Sequence, residues 1–162
     1  INLSYKLQPI DKWLTPGLQK LGGLDVSLRG QDDEMTRDVE PMSNDGKIAH
    51  MFAFNTWQFT SELWTMSAYE HVRHIKSNLG SIGATTLEMR NQWAALKRDF
   101  ELIRIPLAKF RASGNSDTDI EVAHPVVPGN RGAGWQVGPN AIVWREELGD
   151  KFREAIRSLP DL

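Results

Sequence analysis

Residues 87–111 read LEMRNQWAALKRDFELIRIPLAKFR and carry the clearest periodic pattern in the chain. Its large apolar residues advance in alternating steps of four and three positions. That spacing is typical of one face of a helix packed against other helices. The residues in this row are Met89, Trp93, Leu96, Phe100, Ile103, Leu107 and Phe110. Because a capping-box sequence, TTLE at 85–88, precedes it, the stretch predicts a long helix in a helical bundle.

A second long helix is predicted just before it, over about residues 47–78, because helix-starting residues stand at 43–45 and glycines at 80 and 83. One apolar stripe on this helix consists of Ile48, Phe52, Phe59, Leu63 and Met66, and the opposite stripe of Trp57, Trp64, Ala68 and Ile75. A helix with two apolar stripes is covered on both sides. Either it lies at the centre of the bundle, or one stripe meets a second copy of the chain.

The rest of the chain is less regular. Residues 1–46 are rich in Pro and Gly, which predicts an irregular segment with one short helix at about 11–21 and an exposed loop at 31–40. Residues 113–144 predict a long loop with short strands, in which 119–122 and 134–137 pair as a hairpin and 141–144 is a further apolar run. A last helix is expected over 145–159, with Leu148, Phe152, Ile156 and Leu159 facing inward.

The fold class that follows is all-α. We expect one domain over residues 1–162, a bundle of three to four helices in which 47–112 form a long helical hairpin. A small β-hairpin and a long loop are inserted between the third and the last long helix.

Composition excludes several classes of protein. The formal net charge of −2 argues against a general nucleic-acid coat, and the absence of cysteine excludes disulfides, thiolate metal sites and a cysteine nucleophile. No run of 18 apolar residues is present, so no membrane span is predicted. We expect a cytoplasmic protein that needs no cofactor.

The sequence EHVRH at 70–74 is a candidate metal site, because His71 and His74 lie about one helical turn apart. A di-iron bundle site needs Glu-x-x-His from two helices, and the residue three before His71 is Ala68. We therefore predict hydrogen-bonded structural histidines.

Two further patterns suggest phosphate binding. Arg90, Lys97, Arg104 and Arg111 recur every seven positions, but a solvated outer helix face has the same pattern. The glycine-rich stretch 129–134 lacks a following Gly-Lys-Ser/Thr, so it predicts a turn between strands.

The stretch WAALKRDFELIRIPLAKFR at 93–111 resembles the last long helix of HEPN domains, small helical bundles of prokaryotic toxin and defence proteins, many of them dimeric RNases. Arg104 occupies the position of the family's Arg. Lys109 stands where the family has His, and a protonated lysine cannot act as a general base. The resemblance implies a non-cleaving member, or an RNase that uses Arg104 with Lys109 or with the loop residue His124. The chain also resembles bacterial proteins that have no assigned function.

Three functional hypotheses remain open. The first is a non-enzymatic interaction module, a homodimer joined through the aromatic stripe at 57–75. The second is an RNase of HEPN type or a toxin–antitoxin component, which would bind RNA. The third is a bundle that binds a small apolar ligand in a pocket lined by Trp57, Trp64 and Trp93.

Overall fold

A computed structural model describes residues 14–109, 125–129, 132–137 and 141–160. In this part of the chain, four helices and a small antiparallel sheet follow one another, as the predicted all-α bundle with a β insertion requires. The helices are α1 (Leu14–Met35), α2 (Asn44–Ser77), α3 (Leu87–Lys109) and α4 (Arg145–Arg157). The strands β1 (Pro125–Gly129), β2 (Gly132–Val137) and β3 (Ala141–Trp144) lie between α3 and α4.

Helix α1 corrects the prediction for the N-terminal segment, since it is one helix of 22 residues that continues through the expected loop at 31–40 as far as Met35. Pro16 lies in its first turn, where no backbone donor is needed. The glycines within the helix are tolerated because Leu21, Leu28 and Met35 bury one face against the bundle. Tertiary packing therefore overrides the low helix propensity of this segment.

The helical hairpin of α2 and α3 forms as predicted. Ser43 caps α2 by accepting a hydrogen bond from the Gly46 backbone amide at 3.2 Å. A short 3-10 turn, Leu79–Ile82, follows α2, and Gly83 ends this turn in the left-handed region at φ 71°. Thr86 then accepts a hydrogen bond from the Met89 amide at 3.2 Å at the start of α3.

The sheet differs from the predicted hairpin. β2 pairs with β1 at 125–129, whereas residues 119–122 lie outside the described part of the chain. β3 pairs with the other edge of β2, giving three antiparallel strands in the order β1-β2-β3. The glycine-rich stretch 129–134 spans the end of β1 and the start of β2, as expected for a turn between strands, and Gly129 is opposite Gly132 where the two strands meet. Two strands joined by a two-residue connection readily pair as a hairpin, so β2 pairs with the strand directly before it and not with a more distant segment.

The core lies between the four helices and includes Ala133 and Trp135 of β2. Trp93 and Phe152 meet edge to face with ring centroids 6.1 Å apart, and Phe100 meets Phe152 in the same way at 6.5 Å. Leu148, Phe152, Ile156 and Leu159 are buried, as predicted for the last helix. None of the helices in the described residues is long and apolar enough to cross a membrane.

Candidate functional site

The exposed face of α2 carries an uninterrupted row of surface side chains along most of the helix. We call it the outer row, and all of its residues are exposed. They are Asp45, Ile48, Phe52, Asn55, Phe59, Leu63, Met66, Glu70 and Arg73. Because successive members are three or four positions apart, all nine lie within about 40° of Phe59 around the helix axis. The row is therefore straight and continuous.

The apolar part of the outer row is unusually open to solvent. Phe52 and Phe59 are 62% and 67% exposed, and Ile48 is 52% exposed. Single apolar side chains are common on protein surfaces, but a contiguous line of large ones marks a contact surface. This row is the first of the two apolar stripes found in the sequence, and it is the stripe that the described residues leave uncovered.

The ends of the outer row are charged. Asp45 lies in the first turn of α2, where a negative side chain is favoured by the helix dipole. At the other end, Arg73 forms an ion pair with Glu70, with Nη2 2.8 Å from Oε2. The apolar stretch is thus bounded by an acid at its N-terminal end and by an acid–base pair at its C-terminal end.

The opposite stripe of α2 lies inside the chain's own core, which corrects its expected place at a dimer interface. Trp57, Ala68 and Ile75 are fully buried, and Trp64 is 2% exposed. Trp93 on α3 is also fully buried. The tryptophans anchor the monomer, because α1, α3 and α4 pack onto this side of α2.

A buried charge cluster joins α1, α2 and α4. The guanidinium of Arg145, which is fully buried, donates to the carboxylates of Asp25 and Asp32. Asp32 also accepts a hydrogen bond of 2.7 Å from Trp57 Nε1. The Arg145 guanidinium lies 5.9 Å from the ring centre of Trp64, within the range of a cation–π contact.

Two surface arginines extend the cluster towards solvent. Arg29 Nε lies 3.3 Å from Asp25 Oδ2, and Arg153 Nη1 lies 3.6 Å from the same oxygen. Each acid therefore has donors for its oxygens, as buried charge requires. The arrangement is that of a structural ion network that fixes α1 against the start of α4.

This cluster was not predicted from the sequence, because residue 32 falls in a segment predicted to be a loop and no partner was expected for Arg145. A signal was nevertheless present in α1. Its core-facing positions advance as 21, 25, 28, 32 and 35, in the same alternation of four and three that marks α3, and two of the five are aspartates. An acid at a buried, core-facing position of a helix requires a buried cation as its partner, and the sequence alone did not identify that cation.

A pocket of about 150 Å³ lies between α1, α2 and α4. Its walls include Leu18 and Leu21 from α1 and Phe152 and Ile156 from α4. Of the three tryptophans predicted to line a ligand pocket, Trp64 lines this one. Trp57 is instead hydrogen-bonded to Asp32, and Trp93 packs on Phe152. Trp57 and Trp93 are not among the residues that line this pocket.

The two histidines of the candidate metal site lie on the C-terminal half of α2. His71 is buried, and its Nδ1 is 2.7 Å from the carbonyl oxygen of Ser67 one turn earlier. His74 is half-buried. Among the residues that the structure describes, no group of three or more His, Asp or Glu side chains is placed to hold a metal ion.

The residues that carry the HEPN resemblance are placed only in part. Arg104 and Lys109 belong to the last turns of α3, and their side chains lie outside the described part of the structure. His124 lies outside the described residues altogether. Their proximity to one another, which an RNase site requires, stays a prediction.

Comparison with known proteins adds no relative. No family model matches the sequence. No curated protein and no solved structure matches it either.

Proposed function

We propose that this chain is a self-associating module in which two copies bind each other through the outer row of α2. The observation that supports the proposal is the line of large apolar side chains on one face of α2, each between 46% and 67% exposed. They are Ile48, Phe52, Phe59, Leu63 and Met66. Burying such a line against a partner removes apolar surface from water, which is the main favourable term in most protein association.

A lipid surface suits this face less well than a protein does. Helices that lie on membranes combine an apolar face with a polar face rich in Lys and Arg. In α2 the face opposite the outer row is the protein core, built around Trp57 and Trp64. The row itself carries two acids, Asp45 and Glu70, against one base, Arg73, so it does not attract anionic lipid.

A second copy of the chain suits the row because its two ends differ in charge. The acid Asp45 is at one end, and Arg73 is at the other. In a copy of the same row turned end to end, Asp45 comes level with Arg73 of the partner subunit, while Phe52 and Phe59 meet apolar residues of the partner's row. A symmetric dimer needs such a self-complementary surface.

The test is the molar mass of the purified chain in light scattering coupled to size-exclusion chromatography. We expect twice the 18.3 kDa of one chain. Phe59→Glu places a charge at the centre of the row, and we expect it to yield the single-chain mass with an unchanged helical circular-dichroism spectrum. A wild-type chain that stays monomeric at 100 µM, on the order of weak dimer affinities, would exclude the proposal.

The matched control is Val26→Glu. Val26 lies on α1, is 72% exposed and is not part of the outer row. The control adds the same charge at an equally open apolar position, and we expect the dimer mass to persist. If Val26→Glu dissociates the dimer as well, net charge and not the outer row governs association.

A further inference from the structure

We infer that the two copies pair antiparallel, about a two-fold axis that passes beside Phe59. This inference rests on the proposed self-association and adds its geometry. The outer row has the same spacing in both directions from Phe59. Towards the N-terminus its members follow at four, three, four and three positions, and towards the C-terminus they follow at the same intervals.

This symmetry of spacing has a geometric consequence. When a copy of the row is turned end to end about Phe59, each residue comes to the same level along the helix axis as one residue of the partner's row. Phe59 comes level with Phe59 of the partner subunit. Phe52 falls opposite Met66 of the partner subunit, and Ile48 falls opposite the aliphatic part of the partner subunit's Glu70. Asn55 and Leu63 pair across the axis in the same way, so no member of the row lacks a counterpart.

The charges select the antiparallel orientation over the parallel one. In the antiparallel pair, Asp45 lies at the height of Arg73 of the partner subunit at both ends. In a parallel pair at the same register, Asp45 meets Asp45 and Arg73 meets Arg73. Like charges that face each other across an interface disfavour that arrangement, and opposite charges fix the register. Antiparallel helices also place their dipoles in opposite directions.

The axis position predicts one short distance between identical residues. Packed helices lie about 8–10 Å apart axis to axis, and each Cα lies about 2.3 Å from its own axis. Two copies of residue 59 that face each other therefore have Cα atoms about 5 Å apart, which is within disulfide range. Two copies of residue 48 are separated by about 33 Å along the helices, at about 1.5 Å of rise per residue.

The chain has no cysteine, so single introduced thiols report these distances without background. The experiment uses Phe59→Cys and Ile48→Cys, each oxidised under dilute, mild conditions and run on a non-reducing gel. An equimolar mixture of Phe52→Cys and Met66→Cys chains tests the predicted contact between residue 52 of one subunit and residue 66 of the other. This mixture leaves Phe59 intact. We expect covalent dimers for Phe59→Cys and for the mixture, and monomers for Ile48→Cys.

The outcomes separate the register from the association itself. Covalent dimers of Ile48→Cys, or dimer mass in light scattering without cross-linking at residue 59 or in the mixture, would overturn the antiparallel register while self-association stands. If Phe59→Cys weakens the dimer, the mixture still decides the register. A monomeric wild type without cross-links in any variant removes both proposals.

Discussion

Trp57 and Asp32 are joined inside the core by a hydrogen bond of 2.7 Å from the indole Nε1 to Oδ1, although they are 25 positions apart in the sequence. The second oxygen of the same carboxylate accepts from Arg145 at the start of α4. One buried acid thus connects α1, α2 and α4. The relative position of the three helices depends on this connection as well as on apolar packing.

Replacing Arg145 by Met tests the cluster. The change leaves the buried Asp32 and the largely buried Asp25 without their shared cation, and breaking a buried ion pair by removing one partner costs about 3–5 kcal/mol. We expect a loss of that size in the free energy of unfolding, measured by urea titration. The control is Arg98→Met at an exposed position of α3, for which we expect a change within about 0.5 kcal/mol. Similar stabilities for the two variants would show that Arg145 does not hold the helices together.

Gly132→Ala tests how closely the sheet approaches Arg145. Gly132 has φ +75°, and a Cβ atom there would lie 2.8 Å from Arg145 Nη2. Since both the backbone strain and the contact oppose a side chain, we expect a loss of about 1–3 kcal/mol in unfolding free energy. Gly80→Ala, where an added Cβ meets nothing within 4 Å, is the control. An unchanged melting temperature for Gly132→Ala would contradict this close approach.

Two glycines of α1 are expected to respond in opposite directions to alanine. A Cβ at Gly17 would lie 2.5 Å from His71 Nε2, whereas a Cβ at Gly23 meets nothing within 4 Å. Gly23→Ala should stabilise the protein by about 0.5–1 kcal/mol, because alanine is the better helix former. Gly17→Ala should destabilise it, because the buried imidazole has to move. The measurement is the melting temperature of each variant, and a stabilising Gly17→Ala would mean that α1 does not pack on His71 as described.

Lys97 gives a pH-dependent contribution to stability. Its hydrogen bond to Glu101 raises the pKa of the ammonium above the ordinary 10.5, against an opposing effect of burial. A raised pKa in the folded state means that the contribution is complete below pH 10.5 and is lost as the pH rises through the folded-state value. Both side chains are about a quarter exposed, so we expect Lys97→Met to cost less than about 1 kcal/mol at pH 7.

The measurement for Lys97 is urea unfolding of wild type and variant at several pH values. The difference between them should be constant from pH 7 to pH 10 and should shrink above pH 10.5. Lys20→Met, at an exposed position of α1, serves as the comparison. A difference that grows with pH would have the wrong sign for this contact.

Much of the fold could be predicted because periodic rows of apolar residues carry their own geometry. The row from Met89 to Ile103 predicted α3, and the capping residues before it predicted where α3 begins. Helix α1 could not be predicted in full, because its glycines lower local helix propensity and its packing against the rest of the bundle compensates for them. The choice of 125–129 as the partner of β2 likewise depended on the short connection between the strands.

The candidate interface was also predictable only in part. The two apolar stripes of α2 were evident from their spacing, but spacing alone did not show which stripe the bundle covers. The structure buries Trp57 and Trp64 and leaves Phe52 and Phe59 exposed.

Helical periodicity is a local property of the chain, so it was enough to predict that α2 and α3 form, about where they begin, and that α2 has two apolar faces. Which of those faces meets solvent, and that Arg145 joins Asp25 and Asp32, depends on tertiary contacts. These contacts connect positions more than 100 residues apart. Their energy depends on burial by distant segments, a property that no local stretch of sequence contains.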